Sequence, residues 1–329
     1  MRALPCVIAS TAGIVASAAV TYEYVPGHFT LPVDAPPMQH GHGLAKDVDG
    51  IVYLTYVVDG EPSPTDQCLV VFTPDPVTGL YGEGVLVGDA ALSQGTPHGL
   101  RIDYSGSEAS LYHANNNQVI RKTTLSGEMI WTGGLMPPNN ESDFWPYMPT
   151  DAVVAPPGSS NLYVSDGYGS SYVHLMDAGT GEWTGLTFGG NGDDSAAHGN
   201  LNTPHGINWD PRVELLLISD RSNGRLEYFN LDGSFNSTAV DAGSFLSQPC
   251  NVDVDEGSGW ALVPDLDGPA FVLDGGNALV ATVDVVGSTG GASQGFLHPH
   301  DAIFLPDGGF VLCTWNPGRI GYWRRVGSP

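Results

Sequence analysis

Basic residues are scarce in this sequence. Lysine and arginine together number 11, against 36 aspartate and glutamate residues, which gives a formal net charge of −25. A surface of this sign repels the phosphates of nucleic acids and the headgroups of anionic lipids. The composition therefore argues against nucleic acid and against a membrane surface as partners.

Long hydrophobic runs are also missing, except at the N-terminus, where residues 4–15 are mostly apolar and follow Arg2. That run is too short to be a convincing membrane anchor. It is followed by Ala16-Ser17-Ala18, the small-residue pattern at which a signal peptide is cleaved. We predict that residues 1–19 are a signal peptide, that the protein is secreted into the extracellular space, and that residues 20–329 form a single domain.

Cysteine is too rare for a disulfide scaffold. Without Cys6 in the N-terminal segment, the chain keeps Cys68, Cys250 and Cys313, an odd number, so at least one thiol must stay free or pair with another chain. Two Asn-X-Ser/Thr sequons begin at Asn140 and Asn236. They predict a glycoprotein if the chain passes through a eukaryotic secretory pathway.

No segment shows the sustained 3.6-residue apolar spacing of an amphipathic helix, so helices should be rare. Short apolar strands and Asp/Asn/Gly turns recur instead, about four strands per unit. The units open on six similar tetrapeptides, whose second positions are residues 42, 98, 150, 205, 250 and 300. Four antiparallel strands in every repeat of roughly 50 residues are typical of a propeller blade. We predict an all-β, six-bladed β-propeller.

The last repeat shows only three strands, one after His300 and two over residues 310–314 and 319–326. A β-type segment, residues 20–25, lies before the first repeat. An open ring would leave bare sheet edges. We therefore predict that the N-terminal strand closes the ring as the outer strand of the last blade.

The first strand of a propeller blade lines the central channel, so the second position of each tetrapeptide should reach one level of that channel. These positions carry His42, His98, Thr150, His205, Cys250 and His300. His98, His205 and His300 lie two repeats apart, so three imidazoles from alternate blades should converge on one axis. Three histidines with an open fourth position are typical of a catalytic zinc site, although imidazole also binds copper, iron and nickel.

Other residues near this ring are open to two interpretations. Asp301 could bind a hard cation such as calcium or orient an imidazole. His42 and His298 could be further ligands or polar channel residues. The remaining histidines outside the ring register are expected at surface or turn positions: His40, His113, His174 and His198.

Three segments then point to a known family: Val164-Ser165-Asp166-Gly167-Tyr168-Gly169, Ile218-Ser219-Asp220-Arg221-Ser222-Asn223-Gly224-Arg225 and Pro299-His300-Asp301. They resemble NHL repeats and, more narrowly, the lyase domain of the peptidylglycine α-amidating enzymes. The resemblance implies an NHL-type six-bladed propeller with zinc, or another divalent transition metal, and calcium in its channel. The implied zinc ligands are His98, His205 and His300, and the implied calcium ligands are Asp301 and the carbonyls of Leu44 and Leu100.

The resemblance also implies a reaction. Tyr168 matches the family's catalytic base, and Arg221 matches an arginine that pairs with the substrate carboxylate or supports the tyrosinate. The implied activity is that of a carbon–nitrogen lyase, which converts a peptidyl-α-hydroxyglycine into a peptide amide and glyoxylate. The expected partner is a small-molecule or peptide substrate, and the protein is expected to be a monomer.

Two positions depart from the family pattern. The strand over residues 51–57 contains no arginine, where the family carries a catalytic one, and His298 stands where the family has methionine. Three functions therefore remain open: the lyase reaction, a different hydrolytic or redox activity on the same histidines, and a non-enzymatic NHL-repeat binding protein with a structural metal.

Overall fold

The computed structural model describes residues 20–104, 108–137, 146–192, 197–291 and 295–327. Its strands, in chain order, are β1 (Thr21–Val25), β2 (Phe29–Thr30), β3 (Met38–Lys46), β4 (Val52–Val58), β5 (Leu69–Phe72), β6 (Gly82–Glu83), β7 (Val85–Val87), β8 (Pro97–Asp103), β9 (Ser110–Asn115), β10 (Val119–Thr124), β11 (Met129–Gly133), β12 (Asp151–Val154), β13 (Asn161–Ser165), β14 (Tyr172–Asp177), β15 (Trp183–Gly189), β16 (Pro204–Asp210), β17 (Leu215–Asp220), β18 (Arg225–Phe229), β19 (Phe235–Val240), β20 (Asp253–Val254), β21 (Ala261–Pro264), β22 (Pro269–Leu273), β23 (Leu279–Asp284), β24 (Pro299–Phe304), β25 (Phe310–Thr314) and β26 (Arg319–Val326).

Helix is confined, within these ranges, to one α-helical turn, α1 (Val285–Ser288), and to two 3-10 turns, Ala90–Ser93 and Arg221–Asn223. The turn chemistry explains the strand-rich chain, because Gly, Asp and Asn close most of the hairpins. None of the helices in the described part of the chain has the length and hydrophobicity needed to cross a membrane.

The strands form six four-stranded antiparallel sheets, and β2 pairs with β6 in a separate short parallel ladder. Blades 1 to 6 are β3-β4-β5-β7, β8-β9-β10-β11, β12-β13-β14-β15, β16-β17-β18-β19, β20-β21-β22-β23 and β24-β25-β26-β1. The first strand of each blade contacts the first strand of the next, and β24 contacts β3. The prediction of an all-β, six-bladed propeller is confirmed.

Ring closure follows the sequence prediction. β1 pairs antiparallel with β26 from Thr21 opposite Val326 to Val25 opposite Tyr322. Aromatic contacts hold the strand down, since the ring centroid of Tyr22 lies 5.1 Å from that of Phe310. The prediction that the N-terminal strand completes the last blade is therefore confirmed.

The hydrophobic core lies largely between neighbouring blades. Between blades 3 and 4, for example, Val153 and Tyr163 pack in one buried cluster with Ile207 and Leu216. Every blade therefore depends on its neighbours for burial of its apolar faces, and the first strands are held at a fixed radius around the channel.

Other sequence predictions have mixed outcomes. Cys68, Cys250 and Cys313 are all buried and free. Asn236 is exposed on β19, whereas Asn140 and residues 1–19 lie outside the described residues. The expected surface or turn position is wrong for His113 and His174. Both side chains are buried, on β9 and β14, where they contact Thr123 and Thr187 of the adjacent strands.

Candidate metal centre

Four histidines line the central channel, one from each of four first strands. His42 lies on β3, His98 on β8, His205 on β16 and His300 on β24, and each is at most 4% exposed. Together with neighbouring residues they enclose a cavity of about 10 Å³. That volume is enough for about one water molecule or one ion.

The same hydrogen bond orients each of the four imidazoles. Each Nδ1 donates to a backbone carbonyl of the following blade: His42 to Pro97 (2.6 Å), His98 to Thr150 (2.6 Å), His205 to Cys250 (2.7 Å) and His300 to His42 (2.9 Å). Because Nδ1 carries the proton in this arrangement, Nε2 is left with a lone pair, as in metal-binding histidines whose orientation is fixed by a second hydrogen bond.

Two of these lone pairs have no protein partner. Nε2 of His98 and Nε2 of His300 are buried and accept no hydrogen bond. A buried polar atom without a partner is costly. Burial is the largest cause that lowers the pKa of His98 and His300 well below the ordinary histidine value, so both rings are neutral and able to coordinate. The residues present therefore fit a transition metal.

Either His205 or His42 can complete a three-histidine site with His98 and His300. The rings of His98, His205 and His300 form a nearly equilateral triangle, with centroids 4.7–4.8 Å apart. His42 also approaches the same pair, at 4.5 Å from His98 and 4.6 Å from His300. One ligand nitrogen from each of His42, His98 and His300 lies within 4.8 Å of the other two. The channel thus contains two overlapping three-histidine sets.

Tyr168 and Arg221 lie beside the His205 side of this cluster. The Tyr168 hydroxyl is 2.9 Å from Nε2 of His205 and accepts a hydrogen bond from Nη1 of Arg221 at 3.1 Å. Since Nδ1 of His205 holds the ring proton, the hydroxyl donates to Nε2. Burial raises the pKa of Tyr168, and Arg221 opposes that rise. A tyrosinate here would require further positive charge at the histidines.

The two non-histidine members of the ring also have roles. Thr150 takes the histidine position in blade 3, and its Oγ1 donates to the carbonyl of Pro204 at 3.0 Å. Cys250 takes that position in blade 5, where its thiol is buried, and burial raises its pKa to about 12. The thiol is therefore protonated at neutral pH and is a poor metal ligand in this state.

A second polar layer follows the histidines along the channel. Asp301 accepts from the backbone N–H of Leu44 at 2.7 Å and from Nδ2 of Asn251 at 2.7 Å. Leu100 is fully buried on β8, and the next residue, Arg101, reaches Asp151 and Asn251 in this layer. Arg101 donates to Oδ2 of Asp151 at 2.7 Å and also to Oδ1 of Asn251.

Glycine makes room for this layer. A Cβ atom on Gly99 would lie 2.5 Å from Oδ1 of Asp151, and one on Gly206 would lie 2.5 Å from Oδ1 of Asn251. The glycines that follow His98 and His205 therefore leave room for Asp151 and Asn251, which follow the ring position in the next blades. Sequence reasoning missed Asp151, Asn251 and Arg101, although the shared repeat register of Asp151, Asn251 and Asp301 could have indicated them.

Two further histidines flank the cluster. His40 contacts Trp315, with Nδ1 at 2.7 Å from its carbonyl oxygen, and its ring centroid is 5.7 Å from that of His42. His298 has a positive φ of 54° and lies 5.7 Å from the Trp315 ring. The structure thus groups His42 with the ring histidines and sets His298 beside Trp315, which is 39% exposed.

No profile of a known protein family matches the chain. It is similar to peptidylglycine alpha-amidating monooxygenase of Rattus norvegicus, with 28% identity over 142 residues, which is 41% of this chain and 14% of the relative. The corresponding protein of Mus musculus is 26% identical over 140 residues, with the same shares. The matched part is therefore a small fraction of these curated relatives.

Solved propellers resemble most of the chain. A gluconolactonase, XC5397 from Xanthomonas campestris, superposes with a TM-score of 0.57 at 13% identity, covering 89% of this chain and 88% of that one. Virginiamycin B lyase from Staphylococcus aureus gives a TM-score of 0.55 at 10% identity, covering 94% and 88%. At these identities the likeness concerns the fold. The chain is thus a six-bladed propeller that resembles, over part of its length, the peptidylglycine α-amidating proteins.

Proposed function

We propose that the protein is a metal-dependent carbon–nitrogen lyase that converts peptidyl-α-hydroxyglycine into peptide amide and glyoxylate. One observation carries this proposal: Tyr168 is held between Arg221 and His205, directly beside a cluster of buried, neutral imidazoles. A structural metal site would not need a tyrosine and an arginine in contact with a ligand. The partial similarity to the amidating proteins supports the same reaction class.

In this proposal His98, His205 and His300 hold zinc or another divalent transition metal. They come from blades 2, 4 and 6, so they surround the channel axis evenly. On metal binding, Nε2 of His205 would exchange the Tyr168 hydroxyl for the metal, and that hydroxyl would stay bonded to Arg221. With His42 outside this set, a four-coordinate metal would keep one position for the substrate and would supply a Lewis acid for its hydroxyl and carboxylate oxygens.

Tyr168 would transfer the proton, and Arg221 would stabilise the negative charge on Tyr168. With a metal at the histidines, Tyr168 would act as the tyrosinate: it would take the proton of the substrate hydroxyl, the carbon–nitrogen bond would break as the carbonyl of glyoxylate forms, and the same proton would pass from Tyr168 to the departing amide nitrogen, which restores the tyrosinate. Arg221 donates to the Tyr168 oxygen and stabilises its anionic form. Arg221 is also the cation available to a substrate carboxylate, because β4 carries no arginine.

A metal bound on the other side would lead to a different function. The ligand atoms of His42, His98 and His300 are grouped closely enough for a metal ion. An ion held there would leave His205 bonded to Tyr168 and could act as a structural element of a binding propeller. A metal bound by His42, His98 and His300 therefore defines the second candidate function, a binding propeller with a structural metal.

The secreted location and the monomeric state are part of the proposal. The signal-peptide pattern of residues 1–19 supports an extracellular location. A peptide substrate fits a secreted enzyme of this reaction class.

The test is glyoxylate release from a peptide that ends in α-hydroxyglycine, with the metal-loaded protein. We expect turnover by the wild type and a loss of about 10²–10⁴-fold for Tyr168→Phe, the range associated with a general base. Tyr163→Phe is the matched control: this tyrosine lies in the same blade and donates to the Leu231 carbonyl, away from the histidines. It should retain turnover.

Metal content separates the possible results. A wild type that contains metal and releases no glyoxylate contradicts the lyase proposal and favours the structural site. A Tyr168→Phe variant that turns over as fast as the wild type removes Tyr168 from the reaction.

A further inference from the structure

The second layer of the channel is built around a buried arginine. Arg101 is 7% exposed and starts from β8 in blade 2. Its Nη2 donates to Oδ2 of Asp151 in blade 3, at 2.7 Å, and to Oδ1 of Asn251 in blade 5. The guanidinium therefore crosses the channel and joins three blades.

Asp301 of blade 6 belongs to the same layer. Its Oδ1 accepts from Nδ2 of Asn251 and from the N–H of Ala302 at 2.8 Å, and its Oδ2 accepts from the N–H of Leu44. Asn251 thus links the guanidinium to the second carboxylate. Two acidic side chains and one amide oxygen face a single permanent cation at this level of the channel.

We propose that Arg101 supplies the positive charge that a calcium ion would otherwise supply in this layer, and that the protein consequently takes up no channel calcium. The inference concerns the layer below the histidines and stands whether or not the lyase reaction is correct. Arg101 therefore acts as a positioning residue that fixes Asp151 and Asn251.

The chemistry of the two cations explains why they exclude each other. Calcium requires six to eight oxygen ligands. The implied site combines Asp301 with the carbonyls of Leu44 and Leu100, and further oxygens at this level would have to come from Asp151 and Asn251, which already accept from Arg101. Arginine stays protonated in proteins, so it cannot make way by losing its charge. A divalent ion beside a buried guanidinium would experience strong repulsion in a medium of low dielectric constant.

The charge state of the layer agrees with the geometry. Burial works against the charge of Arg101, yet Asp151, Asp301 and Asp253 keep its pKa above the usual arginine value. Removing the guanidinium would leave Asp151 and Asp301 facing each other without compensation, which is the composition of a site for a hard cation.

The experiment measures calcium binding by calorimetry and by the midpoint of thermal unfolding, with protein that has been stripped of calcium and keeps its transition metal. We expect millimolar calcium to leave the wild-type midpoint unchanged. Arg101→Ser should gain one calcium per chain, and a calcium concentration about 100 times its dissociation constant should raise its midpoint by roughly 5 °C.

Two controls accompany it. Arg101→Lys retains a positive charge and should gain no calcium site. Arg324→Ser removes an exposed arginine of β26 that pairs with Glu23 and reports calcium attracted to the acidic surface in general.

Two outcomes would contradict the replacement of calcium by Arg101. A wild type that binds one calcium per chain, and loses it in Asp301→Asn, overturns the proposal. So does a folded Arg101→Ser that binds no more calcium than Arg324→Ser. If Arg101→Ser does not fold, the wild type and Arg101→Lys still decide, since calcium-dependent stabilisation of either one contradicts an arginine that replaces the ion.

Discussion

His42 and His205 compete for the role of third ligand, and the contacts of each ring differ. Nε2 of His205 accepts a hydrogen bond from the Tyr168 hydroxyl, whereas His42 lies on the opposite side of the His98–His300 pair. If all four histidines bound one ion, a tetrahedral site would have no position left for substrate. The open position of the proposed enzyme therefore depends on His42 staying outside the coordination sphere.

We expect His205→Gln to weaken metal binding by more than about 100-fold and His42→Gln to leave the stoichiometry at one ion per chain, because only the first change removes a ligand of the axial site. Elemental analysis after dialysis against buffered zinc checks this. The reverse order of the two variants would place the ion in the set of His42, His98 and His300 and would withdraw the catalytic assignment of Tyr168.

His113 offers a pH test remote from the metal. It is buried on β9, its Nε2 contacts Thr123 Oγ1 at 2.9 Å, and burial lowers its pKa to about 3. The unfolded state, with an ordinary pKa near 6.5, binds the proton more readily. The contribution of neutral His113 is therefore complete above about pH 6.5 and is lost progressively as the pH falls towards 3.

The comparison with His113→Gln isolates this residue from the other titrating groups. At pH 7 the variant should be less stable than the wild type, since a packed imidazole is replaced. At pH 5 the difference in unfolding free energy should shrink by about 2 kcal/mol. In the wild type alone, the unfolded state then binds a proton at His113 that the folded state does not bind. Denaturant unfolding at both pH values measures it, and a difference that does not change with pH would mean that His113 is accessible to protons in the folded protein.

At the scale of strands, β1 joins the two ends of the chain. Tyr24 lies 5.3 Å from Trp323 and from Phe296, ring centroid to centroid, and Tyr22 contacts Phe310. Without β1, these aromatic faces and the edge of β26 would be open to water.

Deleting residues 20–25 should lower the midpoint of thermal unfolding by about 5–8 °C, which corresponds to roughly 3–5 kcal/mol of lost burial in a chain of this size. Glu23→Ala serves as the control in the same strand. Its ion pair with Arg324 is exposed and should contribute little. A truncated protein with an unchanged midpoint would show that β26 tolerates an open edge.

The sequence allowed the strands, the blades and the closure by β1 to be predicted, because the repeat register and the turn residues are local signals. Arg101 could not be predicted as a channel residue in the same way. It lies three positions after His98, on a strand whose register shifts between Pro97 and Leu100, and its partners are in blades 3 and 5. Only the closed ring brings a blade 2 side chain to Asn251.

Across the whole molecule, a hydrogen bond of the ring residue or of the residue after it connects each blade to the next. The Nδ1 bonds of His42, His98, His205 and His300 connect blades 1 to 2, 2 to 3, 4 to 5 and 6 to 1. The remaining junctions are made by Thr150, which bonds blade 4, and by Asn251, which bonds Asp301 of blade 6. The hydrogen bonds between successive blades therefore form a closed circuit around the ring, although blade 3 carries Thr150 instead of histidine.

Metal binding would add a second circuit at the same level, because His98, His205 and His300 belong to alternate blades. We expect chelation of the metal to lower the midpoint of thermal unfolding by about 5–10 °C, while the circular dichroism of the folded protein stays the same, since the inter-blade hydrogen bonds do not need the ion. Thr150→Val should lower the midpoint in both forms, because it leaves the Pro204 carbonyl without this donor, and should retain the difference between loaded and stripped protein. A chelated wild type that has lost its metal and melts like the loaded one would mean that the ion does not join the blades, and the rigidity of the ring would then rest on the hydrogen-bonded circuit alone.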